Sequence, residues 1–237
     1  EAGSEEAAST DPVPVTVTVF GAHGRVLVPG AEQLEAVPGQ LVSLDLDALE
    51  GGRYTAVVDA AVPVVASVTV VRPGTDGDDR AIVAGNVAPV PGTSLVASPA
   101  GVRRTLVLAA VPEDLSAVPG AALGTGVPVD DDGAPLAVAT RRVEVDLVGV
   151  DGRVVATRPV DVPVGGTTVL GVDAAAPGVD VAAVVVRTVG DGPGVAWSLE
   201  ASAEALDGTA DGLLTVLAPV VGDVVSRSVV VRPSQGF

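Results

Sequence analysis

The amino-acid sequence predicts an all-β protein built from two related β-sandwich modules in tandem. Apolar residues make up 48% of the 237 residues, and valine dominates them, whereas aromatic residues reach only 2%. Valine is branched at Cβ, which favours the pleated strand over the helix. The 19 prolines and 29 glycines are scattered along the whole chain, and they leave few stretches long enough for a helix.

Alternating apolar and polar residues indicate the individual strands. In residues 15–19, valine alternates with threonine, and in residues 143–147 apolar residues alternate with Glu and Asp. Such alternation is typical of a strand with one buried face. A turn signal follows each run, at His23-Gly24 and at Asp151-Gly152. Asp-Gly favours a type I′ hairpin turn, which requires positive φ at both central residues.

An internal repeat predicts the module boundaries. Residues 15–26 align without gaps with residues 143–154, and three shorter matches follow in the same order: 37–38 with 162–163, 88–90 with 218–220, and 105–108 with 228–231. We therefore expect a polar N-terminal segment at 1–11, module one at 12–112, a linker at 113–140 and module two at 141–237. We also expect Gly24 to superimpose on Gly152 and Pro89 on Pro219.

Turn residues divide each module into seven short strands, which predicts two immunoglobulin-like sandwiches. The strands of module one are expected near 14–20, 25–28, 40–46, 53–59, 63–71, 81–88 and 103–110. Those of module two are expected near 142–149, 153–161, 166–172, 179–188, 194–200, 213–218 and 224–231.

Charge and hydropathy exclude several classes of partner. The net charge is −17 and the chain contains no lysine, so neither nucleic acid nor an anionic membrane surface is an expected partner. Mean hydropathy is high at +0.52, but no run approaches the roughly 20 apolar residues of a membrane span. We interpret the most apolar stretch, residues 60–71, as buried strand. The polar opening, residues 1–10, is typical of a processed or exported product.

The order of short motifs resembles a known group of proteins. A hairpin at Gly-x-[Asp/His]-Gly-Arg is followed by Val-Pro-x-Gly, then Leu44-Asp45-Leu46, Val64-Val65-Ala66, an Ala-Pro-Val turn and a closing Thr-Leu-Val-Leu or Ser-Val-Val-Val strand. This order resembles actinobacterial secreted or lipid-anchored proteins of unknown function that consist of repeated β-sandwich modules. The resemblance implies an extracytoplasmic, cell-envelope location, near polysaccharide-assembly machinery, and it implies no catalytic residues.

Catalytic chemistry has little support in the sequence. His23 is the one histidine, and its counterpart in the repeat is Asp151, which favours a hairpin turn over a general base. Asp45 and Asp47 are predicted to face the same side of one strand, whereas a glycosidase pair comes from opposite walls of a cleft. We expect a protein that is not an enzyme.

Two acidic loops are candidate calcium sites. Asp130, Asp131 and Asp132 precede Gly133 in the linker, and Asp76, Asp78 and Asp79 flank Gly77. Calcium binds carboxylate and carbonyl oxygens from loops, although neither loop has the twelve-residue EF-hand pattern. Asp130 to Asp132 are the better candidates, and a solvated acidic loop is the alternative.

Glycan binding would require an aromatic platform, and few aromatic residues are present. Alternation places Trp197 with Val195 and Leu199 on an apolar face, so a core tryptophan is favoured over a sugar platform. Tyr54 is expected at the rim of its module.

A protein partner would most readily use a bare strand edge. The valines of the closing strand, Val229, Val230 and Val231, are either paired inside the second module or offered to another chain as an edge. We therefore expect a non-catalytic interaction protein of the cell envelope, whose partner is an envelope protein. The alternative is a carbohydrate-binding accessory to cell-wall polysaccharide assembly.

Overall fold

The computed structural model describes residues 11–72, 79–85, 92–115, 120–121, 138–202 and 214–221. Strands dominate these residues, and the single α-helix among them, α1 (Val172–Ala175), is one turn long. The prediction of an all-β fold is confirmed. The described strands form a sandwich of two sheets, a third sheet beside it, and a separate two-stranded hairpin.

The third sheet is built around strand β1 (Val13–Gly21). It pairs on one side with β2 (Gly24–Val26) and β3 (Leu34–Ala36), and on the other side with β4 (Thr55–Ala60). The two-residue strand β9 (Gly120–Ala121) adds to β2 in parallel.

An irregular segment covers one face of this sheet. Val17 and Val19 of β1 pack with Val28, Ala31, Leu44, Leu46, Leu49 and Tyr54. The strand predicted at 40–46 is wrong, because residues 41–46 have no regular secondary structure. The side chain of Asp45 instead accepts a hydrogen bond from the backbone N–H of Asp47 at 2.8 Å, and such an Asx turn competes with strand pairing.

Two antiparallel sheets form the sandwich. The first has the order β11 (Val154–Pro163), β10 (Thr140–Gly149), β13 (Val181–Thr188), β7 (Thr93–Ala97) and β16 (Val220–Val221). The second has the order β12 (Thr167–Gly171), β8 (Arg103–Ala110), β14 (Val195–Ser202) and β15 (Leu214–Leu217). The remaining strands, β5 (Ser67–Arg72) and β6 (Asp79–Ala84), pair only with each other.

The alternation of the sequence determines the core of the sandwich. Val143, Val145 and Leu147 of β10 are fully buried, as are Leu106 and Leu108 of the facing sheet. In β14 every second residue is buried, from Val195 to Ala201. Period-two burial of this kind is expected where each sheet turns one face to the other.

The pairing of β7 and β8 departs from the predicted module boundaries. Both strands lie before residue 112, yet β7 pairs with β13 and β8 pairs with β12 and β14. Strands β7 and β8 therefore belong to the same sandwich as the strands β10 to β16. The Pro- and Gly-rich composition after residue 112 indicates a connection, but composition does not reveal which strands pair across it.

The two halves nevertheless share one local arrangement. Each of β1 and β10 lies between its hairpin partner and a later antiparallel strand. The duplication itself stays a prediction, because Pro89 and residues 228–231 lie outside the described residues.

The turn at Asp151-Gly152 differs from the predicted type I′ turn. Only Gly152 has positive φ, at 77°. The loop is longer because the β10–β11 register shifts between Leu147 and Val148. The Asp151 side chain accepts the Arg153 N–H at 3.0 Å, which closes the loop without positive φ at Asp151.

Polar contacts join the third sheet to the outer face of the second sandwich sheet. The Thr167 hydroxyl donates a hydrogen bond to the Phe20 carbonyl at 3.1 Å, and Phe20 is fully buried. Arg53, just before β4, donates to Glu200 of β14 at 2.8 Å.

Removal of the Trp197 side chain tests the sandwich core. The indole is 6% exposed and its Nε1–H donates to the Ser94 hydroxyl at 2.7 Å. We expect Trp197→Ala to lower the free energy of unfolding by about 3–5 kcal/mol, measured by urea denaturation followed by circular dichroism. Ser94→Ala is the control, and it should cost less, about 1–3 kcal/mol, because it removes the acceptor of the buried indole N–H but keeps the indole. An unchanged unfolding midpoint for Trp197→Ala would contradict a buried indole.

Candidate interaction surface

The most apolar stretch of the sequence lies on the surface. Between Asp59 and Arg72 there is no charged residue. This stretch contributes Val62, Val64, Val65, Val68, Val70 and Val71 to the exposed apolar side chains, and β6 adds Ile82. Val65 is completely exposed and Ile82 is 74% exposed. We name residues 61–72 and 79–84 the apolar hairpin. The interpretation of this stretch as buried strand is wrong, because high hydropathy does not show whether another element covers a strand.

Both faces of the apolar hairpin display β-branched side chains. The register pairs Thr69 with Ile82 on one face, and Val68 with Val83 and Val70 with Ala81 on the other. Ala81 is buried, whereas Val68 and Val70 are each more than one-third exposed. Strand β6 lies beside β15 of the sandwich, so this contact covers only part of one face.

The outer edge of β5 has no partner strand among the described residues. The Gly85 N–H donates to the Ala66 carbonyl at 2.8 Å, and the register makes these two residues direct opposites. In an antiparallel pair, directly opposite residues alternate between hydrogen-bonded and non-hydrogen-bonded. The N–H and C=O groups of Ser67, Thr69 and Val71 therefore point away from β6.

The predicted metal and edge residues cannot be placed on this surface. Asp130, Asp131 and Asp132, the candidate calcium ligands, lie outside the described residues, and so do Val229, Val230 and Val231. Both assignments stay predictions. No group of three or more His, Asp or Glu residues suited to a metal ion occurs within the described residues. The same part of the chain contains no helix that is long and apolar enough to cross a membrane.

The single histidine lies in a tight turn. Gly21 pairs with Gly24, so Ala22 and His23 form the two-residue connection between β1 and β2, and His23 is exposed. The prediction that His23 occupies a hairpin turn is confirmed.

The described aromatic side chains do not form an exposed platform. Phe20 and Trp197 are buried. Tyr54 is half-buried in the core of the third sheet, and its hydroxyl donates to the Glu50 carbonyl at 2.9 Å. The interpretation of Trp197 as a core residue is therefore confirmed.

The buried charge of Arg104 lies in the sandwich and not in the apolar hairpin. The Arg104 guanidinium donates to Asp173 of α1, to the Ser98 hydroxyl at 3.2 Å and to the Val181 carbonyl at 2.9 Å. Burial of a charge is tolerated only when it is paired and hydrogen-bonded. Arg104 thus connects β8 with the helix and with the start of β13.

A row of charges lies on the outer face of the first sandwich sheet. Arg187 bridges Asp146 at 2.7 Å and Glu144 at 3.3 Å, and the Thr157 hydroxyl donates to Asp146 at 2.6 Å. Because Glu144 and Asp146 share one strand, their carboxylates face the same side and are joined by a single guanidinium.

The fold and the surface define an all-β protein that displays a valine-rich apolar hairpin. A model of the family of unknown function DUF5719 matches residues 6–172, and the chain belongs to that family. A comparison with curated proteins gives no match, and none of the solved structures matches.

Substitution of the two most exposed hairpin residues tests whether this surface is free in solution. We expect Val65→Ser with Ile82→Ser to change the free energy of unfolding by less than about 0.5 kcal/mol per substitution, as is usual at exposed positions. The same variant should bind less of an apolar dye, because its apolar area is smaller.

The buried substitution Val145→Ser is the matched control and should cost more than about 2 kcal/mol. If the hairpin variant loses as much stability as this control, the hairpin side chains are covered in solution.

Proposed function

We propose that the protein is a non-catalytic interaction module of the cell envelope, located outside the cytoplasm, that binds a partner protein through the apolar hairpin. The observation that carries this proposal is the exposure of six valines and one isoleucine in the apolar hairpin, of which Val62, Val64 and Val65 precede its first strand. Contiguous exposed apolar patches mark interaction sites in folded proteins. The extracytoplasmic location is inferred from the resemblance of the sequence motifs.

The energetics of the hairpin support a binding role. Burial of a valine or isoleucine side chain contributes about 1.5–3 kcal/mol, and Val65 and Ile82, which are mostly exposed, supply little of this to folding. A two-stranded hairpin is also only marginally stable when isolated. A partner that covers these side chains would gain the apolar burial that the fold leaves unused.

The alternative function, a carbohydrate-binding accessory to cell-wall polysaccharide assembly, has less support. Sugar rings stack on exposed aromatic faces, and Trp197 and Phe20 are both buried. Recognition of a glycan would then depend on polar loops.

Affinity purification with matched variants tests the proposal. The wild-type protein, the Val65→Ser/Ile82→Ser variant and a Val150→Ser/Val169→Ser control are immobilised and exposed to an envelope extract of the organism that carries the gene. Val150 and Val169 are exposed valines elsewhere on the molecule. We expect at least one protein to be retained by the wild type and the control and lost by the hairpin variant, with the readout by mass spectrometry.

Two results would count against the hairpin as the binding surface. One is the retention of the same proteins by all three baits. The other is the retention of cell-wall polysaccharide, without protein, equally on all three, which would favour the alternative function.

A further inference from the structure

We propose that the partner binds by strand addition: an extended segment of a basic protein pairs with the outer edge of β5. This inference rests on the proposed function and specifies the binding mode and the chemistry of the partner. Strand addition derives affinity from main-chain hydrogen bonds and specificity from alternate side chains.

The backbone of β5 offers a regular row of hydrogen-bonding groups. The outward N–H and C=O groups belong to every second residue, Ser67, Thr69 and Val71, as the Gly85–Ala66 hydrogen bond establishes. Among the described residues no strand takes this edge. An added strand would therefore extend the hairpin to three strands, the number at which a sheet becomes independently stable.

A second sheet edge of the same molecule is protected, and β5 is not. Strand β11 is the edge of the first sandwich sheet, and its sequence includes Pro159, Asp161 and Pro163. Prolines and charges are the usual devices that prevent pairing at an exposed edge. Strand β5 contains no proline, and its one charged residue is Arg72 at its C-terminal end.

The side chains around the edge indicate what the added strand carries. Val68, Val70 and Val83 line one face of the hairpin. Thr69, Val71 and Ile82 line the other, where Arg80 of β6 lies opposite Val71. Cross-strand pairs of β-branched residues stabilise a sheet. The added strand is therefore expected to have uncharged β-branched residues on both faces.

Electrostatics favours a basic partner over a second copy of this chain. Two copies would each carry a net charge of −17, which slows their encounter, whereas a basic partner is attracted and its association is accelerated. Because residues 60–71 have no charge, the basic residues of the partner are expected to flank its paired segment.

A labelled peptide serves as the probe. It consists of alternating valine and threonine with two arginines at each end, and fluorescence anisotropy measures its binding to the whole chain at low and physiological salt. We expect binding to wild type and to Thr69→Ala, and about tenfold weaker binding to Thr69→Pro. Proline at position 69 removes the outward N–H and obstructs the outer edge. The pairing of β5 with β6 loses no hydrogen bond, because the Thr69 N–H does not donate to β6. A peptide with glutamate in place of arginine should bind more weakly than the arginine peptide.

Folding is checked separately for each variant. Trp197 is the sole tryptophan and lies in the sandwich core, so its fluorescence reports on the folding of the sandwich, and the change in strand content of the whole chain is followed by circular dichroism. If Thr69→Pro does not fold, Val71→Pro blocks the same edge and replaces it in the experiment.

Three results would overturn strand addition of a basic segment at β5. The first is equal binding of the arginine peptide to Thr69→Pro and to Thr69→Ala, and the second is equal binding of the arginine and glutamate peptides to the wild type. The third is a wild-type dimer in sedimentation equilibrium that the substitution Thr69→Pro dissociates. The proposed function fails independently. If an envelope protein is lost by the Val65→Ser/Ile82→Ser bait but retained by the Thr69→Pro bait, the hairpin binds a partner without strand addition.

Discussion

The pairing of β8 with β12 and β14 is the constraint on which the rest of the structure depends. Leu106 and Leu108 of β8 are fully buried between the two sheets, and β8 is an interior strand of its sheet. The strands that follow residue 138 therefore cannot form this sandwich without the chain that precedes residue 112. Buried Arg104 reinforces the same connection, because its loss would leave the Val181 carbonyl and Ser98 without their donor.

The position of the apolar hairpin follows from this constraint. The chain enters it from β4, which is held against β1, and leaves it towards β7, which is paired on both sides. The two ends of the hairpin are thus connected to strands of separate sheets, and the hairpin forms the connection between these sheets. An element anchored in this way can present its valines at a fixed place although its own stability is small.

Local pattern predicts much of this fold, because the alternation of side chains is a local property. The strand expected at 103–110 has these bounds in the structure, and those expected near 142–149 and 194–200 agree closely with β10 and β14. The short strands β3 and β7 escape prediction because a run of three to five residues carries little periodicity. The membership of β7 and β8 in the later sandwich depends on long-range pairing, which no local pattern encodes.

The candidate surface is the feature that the sequence predicts least well. The sequence predicts a strand near 63–71. It does not predict whether that strand is buried, because alternation and hydropathy are properties of the side chains and burial depends on which other elements cover them. One signal was available in the sequence: residues 60–71 combine a lack of charge with a high content of valine in a chain of net charge −17. A high net charge opposes self-association through mutual repulsion of the copies, and under the proposed strand addition this repulsion would act against pairing of two β5 edges. Under the proposed strand addition, the same charge would attract a basic partner, which would link the acidic composition to the exposed hairpin.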